Sequence, residues 1–389
     1  MCETNLVDAA NYERWMSEAI QLAKRGAGHV APNPLVGALV LCGGQVIGRG
    51  YHERYGEAHA EINAIEDALR QRRDLEGCTL VVTLEPCSHF GKTPPCCERI
   101  AKEGITKVIV GMMDPNHLVA GRGIAYLKDW GIDVITGVLE DELQIVNEAF
   151  VHHITTKRPF VTMKTAMTLD GKIATVSGDS KWVSCEAARY WVHELRQASS
   201  GIMVGIGTIL ADDALLTTRL SHIREENISH PIPIIVDSKG RIPLDAKVLN
   251  TGIDRPVIIA TTAAMPDEKL EQLKAMGCSV YSLTGADARV DLGGLMAILG
   301  EIGVNSVLLE GGGTLNAAAL EAGVVQKVIS IVAPKLVGGR YGKTPVSGTG
   351  VEYMSEALIL NQLSCRMLGE DVLIEGYLEE VGMCKEEVK

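Results

Sequence analysis

Three short segments near the N-terminus of this chain carry metal-ligating residue types in a set order: His59-Ala60-Glu61, then Pro86-Cys87, then Cys96 after an insert of eight residues. One imidazole and two thiolates hold a tetrahedral Zn²⁺ and leave its fourth position for water. Glu61 is not needed as a ligand and supplies the proton shuttle that such a water requires to attack an amidine carbon. Zinc deaminases carry H-x-E followed by P-C-x-x-C; here the first half fits and the second is stretched by residues 88–95. Any fold for this chain must bring the three segments together.

Local pattern places each at an element junction. Ala58-His59-Ala60-Glu61 opens a run with apolar Ile62, Ile65, Ala68 and Leu69 at helical spacing. Thr79 to Leu84 is β-branched and aliphatic, a buried strand. Pro94-Pro95 opens a second helix, Cys96 to Lys102. The ligands therefore sit near helix N-termini, where the dipole favours thiolate over thiol. The insert, tied at both ends to a ligand, crosses the mouth of the site. It carries His89 and Lys92, and a cation there suits a phosphorylated substrate, a solvated loop lysine being the plainer alternative. Asn33, between Pro32 and Pro34 and ahead of a strand through Leu41, is placed to read a pyrimidine edge or serves turn chemistry alone.

Asn33 to Gly37, His59 to Glu61 and Pro86 to Cys96 together resemble the deaminase domain of the bifunctional riboflavin-biosynthesis deaminase/reductase family, which a long inter-cysteine loop separates from cytidine and tRNA-adenosine deaminases. The resemblance implies one Zn²⁺ per chain on His59, Cys87 and Cys96, Glu61 as proton shuttle, and Asn33, His89 and Lys92 around the substrate. Cys97, beside a ligand, leaves a ligand swap open.

A chain of 389 residues accommodates two domains, and 46% hydrophobic with only 4% aromatic residues makes their cores aliphatic. Alternating strand and helix signals argue α/β architecture in both halves. A net charge of −12 gives no basic footprint for nucleic acid. Ten scattered cysteines, with no signal segment and no apolar run long enough for a membrane, point to a reducing cytoplasm. A boundary is expected where a helix ends near His152-His153, giving domains over 1–152 and 158–383.

The second half places its features after strands. Lys164 is expected to point from a strand edge; Gly178 to Ser184 precede a helix through Arg189, His193 and Arg196; Val204-Gly205-Ile206-Gly207-Thr208 lets a backbone approach a phosphate. Strand Ser306 to Glu310 runs into Gly311-Gly312-Gly313, a turn that offers free N–H groups to a pyrophosphate or is forced by tight packing. It is not the G-x-G-x-x-G of a Rossmann domain.

These loops resemble the reductase domain of the same family. The resemblance implies a cytidine-deaminase-like three-layer α/β/α domain followed by a dihydrofolate-reductase-like α/β domain that uses NADPH. Carried over by position, Ala166, Trp182, Thr208, Asp212 and Gly312, Gly313, Thr314, Leu315 and Asn316 contact NADPH. Lys164, Ser180, Arg196, Leu216, Arg219 and Glu310 face the substrate, with Arg196 and Arg219 clamping its phosphate. The implied chemistry is hydrolysis of the 2-amino group of 2,5-diamino-6-(5-phosphoribosylamino)pyrimidin-4(3H)-one, then reduction of the product's ribose to a ribityl chain. The proton donor of the reduction stays open between Lys164 and Glu310. The expected partner is a small phosphorylated pyrimidine, with no nucleic acid and no membrane, and the expected assembly a homo-oligomer. Two other readings differ: a nucleic-acid deaminase with a C-terminal binding domain, disfavoured by the acidic balance, and a deaminase whose second half has lost reduction, disfavoured by Lys164, Asp212, Arg219 and Glu310.

Overall fold

The computed structural model describes residues 2–72, 74–88, 95–116, 119–253 and 255–378, with side chains from Ala10 onward. They fall into two compact units that divide between Thr156 and Lys157.

The first unit runs α1 (Cys2–Lys24), β1 (Gly37–Cys42), β2 (Gln45–Tyr51), α2 (Ala60–Gln71), β3 (Thr79–Leu84), α3 (Cys96–Lys102), β4 (Lys107–Met112), α4 (Arg122–Asp129), β5 (Asp133–Ile135), α5 (Glu140–Val146) and α6 (Glu148–Thr156). Its sheet order is β2-β1-β3-β4-β5, with β1 antiparallel to both neighbours and the later pairs parallel. Glycines decide how the helices lie on it. A Cβ on Gly37 would fall 2.0 Å from Ala19 O of α1, and one on Gly50 would fall 2.3 Å from Ala64 N of α2. Gly50 pairs with Ala38, the residue after Gly37, so the two glycines look to opposite faces. Hence α1 and α2 cover opposite faces, and the unit has three layers. Between them Leu39, Val40, Val81 and Ile109 are fully buried. The helix expected to end near His152-His153 runs on to Thr156, whose hydroxyl donates to His152 O at 2.7 Å.

The second unit runs β6 (Phe160–Thr168), α7 (Glu186–Ala198), β7 (Gly201–Gly205), α8 (Ile206–Asp212), β8 (Ile232–Val236), β9 (Ile258–Thr261), α9 (Asp267–Ala275), β10 (Ser279–Ser282), α10 (Leu292–Glu301), β11 (Ser306–Leu309), α11 (Gly313–Glu321), β12 (Lys327–Ala333), β13 (Asn361–Leu368) and β14 (Asp371–Tyr377). Nine strands form one sheet in the order β10-β9-β8-β7-β11-β6-β12-β14-β13, parallel as far as β12 and antiparallel beyond it. Met203 of β7 joins one core cluster and its neighbours Ile202 and Val204 another; β8 and β9 alternate in the same way. Both faces of the parallel part are therefore covered, as parallel sheets require.

Candidate active sites

In the first unit His59 is the N-cap residue of α2, with extended backbone, and Glu61 sits in the first turn of that helix. Cys96 opens α3. Cys87 follows β3 and is not itself in a helix; instead its sulfur accepts the Cys96 backbone N–H at 3.3 Å, which places it on the N-terminus of α3. His59 Nδ1 lies 3.6 Å from Cys87 Sγ and 3.3 Å from Cys96 Sγ, and the three ligand atoms fall within 4.8 Å of one another. Zn–N and Zn–S bonds of about 2.0 and 2.3 Å at a tetrahedral angle demand an N···S separation of about 3.6 Å. The donor set fits zinc. Cys97, next to it, is fully buried in the hydrophobic core, so it is turned away from the ligand set.

With no metal in place, hydrogen bonds from Cys96 and His59 outweigh burial and hold the Cys87 thiol down at about 4. Cys96 moves the other way, held up by its hydrogen bond to Cys87 and by burial. Glu61 is only 3% exposed, and burial, then the nearby Cys87, push its carboxyl up to about 7. His59, Glu61 and Cys87 open on a cavity of about 350 Å³ that Asn33, His52, Glu57 and Asp114 also line. His89 and Lys92 lie outside the described residues.

Two residues of this site have no counterpart in the sequence reading. His52, just past β2 and 3% exposed, hydrogen-bonds Ala58 O through Nδ1 at 3.1 Å and meets Asn33 Nδ2 through Nε2 at 3.1 Å. Burial lowers its pKa, so the ring is neutral: Nδ1–H donates to the carbonyl and Nε2 accepts from the Asn33 amide. Glu85, 6% exposed and two residues before Cys87, accepts four backbone N–H groups. Oε1 takes Gly123 and Ile124 at 2.8 and 3.3 Å, and Oε2 takes Gly121 and Asp114 at 2.9 and 3.3 Å.

In the second unit the carboxyl ends of β7, β11 and β6, neighbours in the sheet, gather the features expected there, the position where parallel sheets bind ligands. Register sets Leu309 beside Met163, so Glu310 follows β11 just where Lys164 follows Met163. Lys164 is thus on an interior strand, flanked by β11 and β12, and not at a sheet edge. Its Nζ lies 3.3 Å from Glu310 Oε2. Arg196, from α7, grips the same carboxylate with Nε at 2.7 Å and Nη2 at 3.0 Å, while its Nη1 donates to Thr217 O at 3.1 Å. All three guanidinium nitrogens are engaged, with one further N–H left on each of Nη1 and Nη2, so Arg196 holds Glu310 in this arrangement. Burial alone would raise the Glu310 carboxyl, but Lys164 and Arg196 overcome it and hold it well below the usual carboxylate range. His193, given no role in the sequence reading, accepts the Arg219 backbone N–H at 3.3 Å; burial, Arg196 and Arg219 push it down to about 4.

The remaining expected residues divide by exposure. Arg219, Trp182, Asp212 and Thr314 are exposed, and Ser180, Ala166, Thr208 and Gly312 half-buried. Thr208 and Asp212 sit on α8, which starts at Ile206, and not in a loop. Leu216 is 3% exposed, a core residue packed with Ile235 and Ile259. Gly313, Leu315 and Asn316 are buried, and Asn316 Nδ2 donates to Pro345 O at 2.8 Å. Gly312 and Thr314 keep exposed surface, Leu315 lies in the core, and the segment around residues 344–347 packs on Gly313 and Asn316: a Cβ on Gly313 would meet Thr344 O at 2.5 Å.

Residues 9–112 match the cytidine and deoxycytidylate deaminase zinc-binding region, and residues 159–374 match the RibD C-terminal domain. The riboflavin biosynthesis protein RibD of Actinobacillus pleuropneumoniae is 45% identical over 361 residues, covering 93% of this chain and 94% of that protein. The chain belongs to the RibD family. The Escherichia coli protein of the same name is 36% identical, with 93% and 98% covered. Among solved structures, Acinetobacter baumannii RibD superposes with a TM-score of 0.83 at 35% identity, covering 95% of this chain and 99% of that one. A Thermotoga maritima diaminohydroxyphosphoribosylaminopyrimidine deaminase/5-amino-6-(5-phosphoribosylamino)uracil reductase gives 0.81 at 36%, with the same coverage. The two units are accordingly a cytidine-deaminase-like and a dihydrofolate-reductase-like α/β domain.

Proposed function

We propose that His59, Cys87 and Cys96 hold the zinc of the first reaction, that Glu61 moves its proton, and that Lys164 and Glu310 serve the second. The protein is a bifunctional enzyme of riboflavin biosynthesis: it deaminates 2,5-diamino-6-(5-phosphoribosylamino)pyrimidin-4(3H)-one and reduces the ribosyl chain of the product with NADPH. The observation that carries the first assignment is the convergence of one imidazole nitrogen and two sulfurs within 4.8 Å beside a buried carboxyl.

Zinc, when bound, supplies Lewis-acid activation of water at neutral pH. Glu61, buried beside the three ligands, would hold the proton of that water and pass it to the departing amine. His52 commits one amide N–H of Asn33, leaving the Asn33 carbonyl oxygen to meet a ring N–H or amino group.

In the second unit NADPH, when bound, would supply hydride. Glu310 is ionised and cannot donate, which leaves the Lys164 ammonium as the group that hands a proton to the carbonyl oxygen under reduction. Arg196 keeps Glu310 in place to orient Lys164. Arg219, exposed beside them, is the cation available for the substrate phosphate.

The substrate is a small molecule. The acidic balance supports a protein that does not bind nucleic acid, and among the described residues no helix is long and apolar enough to cross a membrane. A homo-oligomer is supported by β13, the outermost strand of the large sheet, where Leu363 and Met367 are 63% and 62% exposed on one face. The test of function is a two-stage assay on purified protein. Ammonia release without NADPH, followed by NADPH oxidation on its addition, is the expected result; ammonia alone would remove the reductase assignment.

A further inference from the structure

At the end of the first unit's sheet away from the zinc ligands, three side chains meet that neither reaction uses. β1 ends at Cys42, and β3 begins one residue after Cys78. The antiparallel register that sets Leu41 opposite Thr79 makes Cys42 and Cys78 the next neighbours along. Such neighbours have Cα atoms about 4.5 to 5.5 Å apart, inside the range of about 4.4 to 6.8 Å that a disulfide bridges. Arg72, at the end of α2, donates through Nη1 to the Cys42 sulfur, and the same nitrogen lies 3.9 Å from Cys78 Sγ. Both cysteines are free; Cys78 is fully buried and Cys42 half-buried. Burial, then its hydrogen bond to Cys42, pushes the Cys78 thiol up to about 11. The pair is asymmetric, with one reachable sulfur beside a cation and one shielded thiol.

We propose that Cys42 and Cys78 form a redox-modification site at which a hydroperoxide converts the pair into an intramolecular disulfide, with Arg72 as the charge partner of the Cys42 sulfur. The Cys42 thiolate attacks one oxygen of hydrogen peroxide; an S–O bond forms, the O–O bond breaks, and hydroxide leaves with the proton that Cys42 gave up, as water. The Cys78 sulfur then attacks the resulting sulfenic sulfur; the S–S bond forms, the S–O bond breaks, and the departing hydroxide takes the Cys78 proton as a second water. Two thiols and one peroxide give one disulfide and two waters, two electrons passing from sulfur to oxygen. Reactive thiols sit beside a cation and are partly exposed, which is the setting of Cys42. The location fixes the consequence: the other ends of β1 and β3 lead to Asn33 and to Cys87, so the link staples two strands about six residues from the pocket and leaves the pocket intact.

The test uses the zinc-loaded full chain exposed to hydrogen peroxide, with remaining thiols alkylated and peptides mapped by mass. The expected result is a Cys42–Cys78 linked peptide, two hydrogens lighter, formed before the exposed Cys365 is oxidised and with zinc content and ammonia release unchanged. Arg72→Met is expected to slow the link severalfold by removing the cation beside the Cys42 sulfur, and Cys78→Ser to leave a sulfenic acid on Cys42 that dimedone traps. Cys42 and Cys78 still alkylated after Cys365 has reacted would overturn the proposal, as would a linked peptide forming in Arg72→Met at the wild-type rate.

Discussion

The carboxyl of Glu61 is buried among sulfurs and a histidine, and that surrounding, more than its sequence neighbours, suits it to carry a proton. Glu61→Gln keeps the shape and the hydrogen-bonding reach but removes the titration. Deamination is expected to fall at least about a hundredfold, while zinc content measured by atomic emission stays at one per chain. Loss of zinc in that variant would make Glu61 a ligand and undo the assignment. His193 illustrates the opposite sign. In the fold it is held down to about 4, against 6.5 in the unfolded chain. Between those values the unfolded chain takes up a proton that the folded one refuses, so stability fully present above pH 6.5 declines as pH falls through the window. The loss is on the order of 1 to 2 kcal/mol once solvent screening is discounted. Urea unfolding at pH 7.5 and 4.5 reads it, and His193→Gln is expected to flatten that difference; an unchanged pH slope would place the acid sensitivity elsewhere.

At the scale of elements, Glu85 couples β3 to α4. Its two oxygens gather four N–H groups from Asp114 to Ile124, so the loop that lines the pocket with Asp114 is set by the same residue pair that leads into Cys87. Glu85→Gln turns one oxygen into a donor facing two donors. It is expected to cost about 1 to 3 kcal/mol in stability and to raise KM for deamination more than it lowers kcat; equal loss of both with unchanged stability would show that Glu85 acts on the reaction directly. This residue also marks what a sequence can disclose. Thr79–Leu84 and Cys96–Lys102 are legible because β-branched runs and a prolyl helix start are local signals, and His59, Glu61, Cys87 and Cys96 are legible because metal chemistry restricts residue type. Glu85, His52 and His193 are not, since their roles exist only through partners brought by the fold. Arg196 shows the same limit from the other side: its bidentate partner Glu310 is 114 residues away, so the carboxylate that positions this arginine is not legible from the local sequence.

For the whole molecule the open question is what covers β13. Among the described residues that strand pairs with β14 on one side only, and its burial pattern is exposed from Gln362 to Met367. Leu358 and Ile359, just before it, are 62% and 74% exposed, so the apolar surface continues along the chain. Bare edge strands with apolar side chains invite pairing, and soluble proteins blunt them with charge or cover them. Here one face of β13 carries Leu363, Cys365 and Met367, which supply no charge, while Arg366 lies on the other. A second copy laying its own β13 alongside would satisfy the free backbone groups and bury both stripes at once, the self-complementary contact of a two-fold dimer. Light scattering on the purified protein is therefore expected to give twice the chain mass of 41.7 kDa. Leu363→Lys combined with Met367→Lys should halve it, while zinc content and ammonia release stay unchanged because the first unit keeps its own core. A wild-type chain that runs at monomer mass, or a double variant that still runs at dimer mass, would remove β13 as the interface.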